Sequence, residues 1–119
     1  CVPISRLAEC VAETQEDIAA HGLLAPIVGH AGDGNFHVLV LLDDKDPKEI
    51  AGAEDFVARL NERALKFDGT CTGEHGIGQG KVSYLPAELG GSVDLMRQIK
   101  QALDPDNIMN PGKVFSFTA

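Results

Sequence analysis

Two apolar stretches of strand length, Ala25 to His30 and Asn35 to Leu42, are separated only by Ala31-Gly32-Asp33-Gly34. Asp-Gly between two such runs is a strong short-range signal for a β-hairpin, because the turn needs residues that tolerate positive φ. With Val2-Pro3-Ile4 as a third strand, the sheet is a small one to stand alone. Two helical patterns accompany it. After Val2-Pro3-Ile4, read as the end of a strand, Ser5 is expected to cap a helix through about His21. Leu7, Val11 and Ile18 would share one face of it, and Gly22 would close it. A second helix is expected from about Pro47 to Phe67, where Ile50, Ala53, Val57, Leu60 and Ala64 recur at three- and four-residue steps.

The stretch Thr70 to Lys81 is glycine-rich and has no periodicity. A third helix is expected from a Ser92 cap, carrying Leu95, Met96, Ile99 and Leu103 and stopped by Pro105. The tail Asn110-Pro111-Gly112-Lys113-Val114-Phe115 reads as a turn before an apolar end that continues through Ser116 and Phe117. The order strand, helix, strand, strand, helix predicts an α+β fold, a small three-stranded antiparallel sheet with helices on one face and a helical C-terminal tail. The regular apolar stripes are expected to be core, and an open sheet edge is expected to pair with chain that is absent here or with another copy.

Composition narrows the class. The 119 residues are 44% hydrophobic and 24% charged, as in one soluble globular domain. With 18 acidic against 10 basic residues, a net charge of -8, no Trp and one Tyr, a nucleic-acid partner is not expected. No apolar run approaches the ~18 residues that span a bilayer. Cys1, Cys10 and Cys71 are odd in number and lack C-x-x-C spacing, so reduced thiols are expected rather than a disulfide framework or a thiolate zinc site. Starting in mid-pattern at Cys1 without a methionine, the chain reads as a fragment.

Chemistry concentrates in two places. If Asp33-Gly34 forms a two-residue turn, His30 pairs directly with His37, and their imidazoles come within reach of one ion. A longer loop would change the pairing but leave both near the hairpin end. The plain alternative is two hydrogen-bonded sheet histidines. Asp33-x-Asn35 starts like a calcium loop but lacks the next acidic ligand. In Gly73-Glu74-His75-Gly76-Ile77-Gly78-Gln79-Gly80-Lys81, glycines flank a carboxylate and an imidazole. On an extended segment one of these would face a metal and the other a substrate, with His75 as a general base. A mobile surface loop is the alternative there. The spacing fails Walker A, since Val82 follows Lys81, and no G-x-S-x-G elbow is present. Cys71 is expected to be a buried thiol and His21 a structural helix-end residue.

Three stretches taken together resemble one family. They are Gly29-His30-Ala31-Gly32-Asp33-Gly34-Asn35-Phe36-His37, Gly69-Thr70-Cys71-Thr72-Gly73-Glu74-His75-Gly76-Ile77-Gly78, and Leu103-Asp104-Pro105 through Asn110-Pro111-Gly112-Lys113. In that order they are similar to the FAD-linked oxidases of the vanillyl-alcohol-oxidase-like fold, which include D-lactate dehydrogenases of the cytochrome type and the glycolate oxidase flavoprotein subunit. The opening Val2-Pro3-Ile4-Ser5-Arg6-Leu7 is similar to the D-lactate branch.

The resemblance implies half of a ferredoxin-like cap domain over residues 1–85, with residues 86–119 packing back on an FAD domain that lies elsewhere. It implies that His30, His37 and Glu74 bind zinc or manganese. His75 would act as base on a metal-bound D-2-hydroxy acid whose hydride passes to FAD. Asn35 and His75 would face the substrate, Asn35 also orienting the hairpin, and Asn110 would reach the flavin. Leu39, where relatives acting on hydroxyglutarate carry Asn, points to a short acid such as D-lactate or glycolate. A cytoplasmic location is expected, peripheral to a membrane or mitochondrial if the source is eukaryotic, with the electron acceptor unnamed and no activity from this part alone. The rival expectations are a stand-alone metal-binding or interaction module without catalysis and a degenerate cap that has lost its metal.

Overall fold

Helix α1 (Ile4–Ala20) begins behind Pro3, whose backbone is extended at φ -51° and ψ 137°, and no side chain caps it. Proline's ring presets that entry, so the expected Ser5 cap is not needed and Ser5 lies inside the first turn. Val2-Pro3-Ile4 is likewise not a strand end. Instead the Val2 amide donates a single bond, 2.9 Å, to the Gly34 carbonyl. At the other end Gly22 adopts φ +63° as expected. Its amide reaches the Ala19 carbonyl at 3.2 Å while that of Leu23 reaches Ile18 at 3.0 Å, the paired bonds that close a helix through a left-handed residue.

The computed structural model describes residues 1–115. Strands β1 (Ile27–His30) and β2 (Asn35–Val38) form an antiparallel pair, prolonged by an isolated bridge between Leu24 and Leu41. The fold is α+β as expected, but among the described residues the sheet has two strands rather than three. Helix α2 (Pro47–Lys66) starts where the Asp46 carboxylate accepts from the Lys48 amide at 2.8 Å, with Pro47 in the first turn. It ends with Asp68 at φ +58°, while the Gly69 amide bonds the Ala64 carbonyl at 2.9 Å.

Two compact units result, Cys1–Gly73 and Glu74–Ala119. In the first, Val2, Cys10, Ala64 and Phe67 are buried together, with Leu7 and Phe36 packed against them. Phe36 therefore turns the apolar face of the hairpin toward the helices. The buried stripe of α1 is Cys10, Thr14 and Asp17, which corrects the expected one of Leu7, Val11 and Ile18, all half-buried. In α2, Ala53 and Ala64 are buried as expected, but Phe56 is fully enclosed and Val57 is exposed. Asp17 is tolerated inside because the Arg59 guanidinium grips its carboxylate at 2.8 and 3.1 Å and that of Arg63 at 2.6 Å. Those bonds, Arg59 foremost, hold its pKa down to about 2.

In the second unit a 3-10 turn (Val82–Tyr84) leads into α3 (Leu85–Leu89) and then α4 (Ser92–Leu103). Ser92 is the first helical residue rather than the cap, which is Gly91. Leu85, Val93 and Phe115 are buried. The expected core stripe of α4, Leu95, Met96, Ile99 and Leu103, is exposed. Of the apolar end, Ser116 and Phe117 lie outside the described residues. No helix among the described residues is long and apolar enough to cross a membrane.

Candidate metal centre

The hairpin is closed by a 3-10 turn, Ala31–Asp33, followed by Gly34 at φ +69°. That is two residues longer than the expected Asp-Gly turn, and it changes the pairing. His30 opposes Asn35 and Val28 opposes His37, so the direct His30–His37 pair is corrected to a diagonal one. A shift of two residues preserves side-chain parity, and both imidazoles remain on one face. Diagonal neighbours on a sheet are within reach of long side chains. The two ring centroids lie 5.8 Å apart with planes at 89°, His37 half-buried and His30 exposed.

Asn35 shares that face and is buried. Its side chain sits against Gly73, where an added Cβ would lie 2.2 Å from the Asn35 Oδ1. The chain leading to Glu74 thus crosses the histidine face, and Glu74 follows Gly73 by one peptide unit, ~3.8 Å between Cα atoms.

The same segment is tied to the hairpin tip by Cys1 and Val2. The Thr70 amide bonds the Cys1 carbonyl at 2.8 Å, and Val2 bonds Gly34. A Cβ at Gly34 would fall 2.0 Å from the Val2 carbonyl oxygen, and one at Gly69 would fall 2.3 Å from that of Cys1. These contacts require glycine, since backbone atoms cannot step aside.

Glu74 and His75 open the second unit and lie in a turn rather than on an extended segment. Their side chains, instead of diverging as expected, approach each other, with His75 Nε2 3.8 Å from Glu74 Oε1 and both largely exposed. Asn110 has φ +47° and helps line a cavity of about 550 Å³ with Lys100, Met109, Lys113 and Phe115. Cys71 is buried as expected, and none of the three cysteines forms a disulfide. His21 caps α1, its Nδ1 2.9 Å from the Asp17 carbonyl oxygen.

Sequence reasoning missed Asp104. This buried carboxylate accepts from the Ile108 and Met109 amides at 2.9 and 2.8 Å and from the Lys100 ammonium. The Lys100 contact foremost keeps its carboxyl below the usual range. The sequence signal was an Asp followed by Pro-Asp-Asn, a turn whose amides need an acceptor.

The sequence model of the C-terminal domain of FAD linked oxidases matches residues 1–114. The chain belongs to this family. Within it, the chain is 50% identical over 119 residues to a protein named probable D-lactate dehydrogenase, mitochondrial, of Danio rerio, covering 99% of this chain and 24% of that one. To D-lactate dehydrogenase [cytochrome], mitochondrial, of Arabidopsis thaliana it is 45% identical, covering 96% of this chain and 20% of that one. To the glycolate oxidase subunit GlcD of Bacillus subtilis it is 39% identical, covering 97% and 25%. The chain thus spans a quarter or less of the length of these family members.

Proposed function

We propose that the chain is the metal- and proton-handling part of an FAD-dependent D-2-hydroxy-acid dehydrogenase that oxidises a short acid, D-lactate or glycolate. The observation that carries this reading is the pair of edge-to-face imidazoles on the hairpin face that Gly73 crosses just before Glu74. Two imidazoles and one carboxylate are a donor set suited to zinc or manganese with a coordination position left for substrate. His30, His37 and Glu74 would hold the cation. When bound, the cation supplies Lewis acidity toward a substrate hydroxyl, and the flavin supplies a hydride acceptor.

The chain's own residues do the rest. His75 takes the hydroxyl proton at a ring nitrogen, a task suited to an imidazole near neutral pH. Asn35 orients the hairpin and, with His75, faces the substrate. Leu39 follows His37 by two residues, so strand alternation puts its apolar side chain on the histidine face, which favours a short acid over a second carboxylate. Asn110 is the residue assigned to the flavin. The names of the fish and plant relatives support a mitochondrial location if the source is eukaryotic.

The test is a His75→Gln variant of the full-length, FAD-loaded protein, assayed with D-lactate, glycolate and a dye acceptor. Turnover should fall by roughly 10²–10⁴-fold with metal content unchanged. Undiminished turnover would remove His75 from the reaction, and activity on neither acid in the parent protein would remove the substrate class.

A further inference from the structure

We propose that Asn35 and Gly73 form a positioning pair that fixes the segment leading into Glu74 over the histidine face of the hairpin; this rests on the metal site proposed above. Asn35 directly opposes His30 in the sheet and precedes His37 by two residues, so its side chain neighbours both on their common face. It is buried, and it meets the Gly73 Cα so closely that a Cβ there would lie 2.2 Å from Oδ1, 2.6 Å from Cγ and 2.8 Å from Nδ2. Such contacts leave the segment one height above the strand. The next residue along is Glu74.

The height is held from the other side as well. Thr70 is fixed to Cys1 and Val2 to Gly34, at 2.8 and 2.9 Å, so the chain runs in a closed circuit from hairpin tip to the 69–73 segment and back through Asn35. Gly34 and Gly69 admit no Cβ in that circuit, at 2.0 and 2.3 Å from carbonyl oxygens of Val2 and Cys1. With the tip end locked by backbone, the side chain of Asn35 is the adjustable spacer. Asn35 acts on the metal through Glu74 and the histidines and need not touch it.

The experiment is a double-mutant cycle on zinc and manganese affinity in the whole protein, each variant also followed by thermal unfolding. Gly73→Ala pushes the segment off Asn35 and should weaken binding about ten-fold or more, the scale of supporting residues around metal ligands. Adding Asn35→Ser removes the obstructing atoms, so the double variant should regain most of that affinity. Recovery of affinity without a matching recovery of melting temperature separates positioning from stability. Should Gly73→Ala not fold, Asn35→Ser alone carries the test, since a shorter spacer should weaken binding while the fold persists. Wild-type affinity in either folded single variant would overturn the pair while leaving the metal site standing. A parent protein that binds neither ion, or whose binding survives His30→Ala, would overturn the site and the pair together.

Discussion

The imidazoles of His30 and His37 meet edge to face at 5.8 Å although the two residues are not opposed in the hairpin. Their proximity comes from the diagonal of an antiparallel pair, and the residue that opposes His30 is Asn35. An amide therefore stands beside both imidazoles. That amide is buried where the chain bearing Glu74 passes.

Gly34 should be among the least replaceable residues of the first unit. It holds φ +69°, and a Cβ would meet the Val2 carbonyl oxygen at 2.0 Å. Gly34→Ala adds left-handed strain to a clash with backbone, and a loss of at least about 2 kcal/mol is expected in urea unfolding. Gly32→Ala, where an added Cβ meets nothing within 4 Å, should cost far less.

Asp17 makes stability depend on acid. Its folded pKa of about 2 lies below the ordinary 3.8, so the carboxylate form is favoured by folding. The contribution is full above the unfolded value, declines as pH falls through the interval between the two, and is gone below the folded one. At neutral pH it amounts to about 2 kcal/mol. Asp17→Asn should thus be clearly less stable than the parent at pH 7, and the gap should close toward pH 2. A constant gap would mean that packing, not charge, is what Asp17 contributes.

Asp104 should order the segment after α4. Asp104→Ala removes the acceptor for the Ile108 and Met109 amides and the partner of Lys100. Hydrogen exchange at those two amides should accelerate sharply, while the amides of α2 keep their protection. Unchanged exchange at Ile108 and Met109 would show that the turn holds without the carboxylate.

The hairpin and the three long helices were legible because their signals are local: Asp-Gly between apolar runs, Gly22 closing α1, apolar spacing over α2, and Pro105 stopping α4. The register was not. The 3-10 turn at Ala31–Asp33 replaces a two-residue turn, and nothing in four residues decides between them. The two imidazoles nonetheless share a face because the pairing moved by an even number, which leaves every side chain on its side of the sheet. The buried stripe of α1 was hidden for a different reason. Thr14 and Asp17 read as surface until Arg59 and Arg63, more than forty positions later, are brought against them. The Glu74-His75 turn was also beyond reach, since flanking glycines permit an extended segment as readily as a turned one. Helix α3 is only five residues long, too short for periodicity to show.

The central claim is that His30, His37 and Glu74 hold one divalent cation. It is tested most directly by metal analysis of the purified protein beside a His30→Ala, Glu74→Ala double variant, with folding of both checked by circular dichroism. Close to one zinc or manganese ion per chain in the parent and none in the folded variant is the expected result. Equal metal in both, or none in a well-folded parent supplied with either ion, would contradict the account.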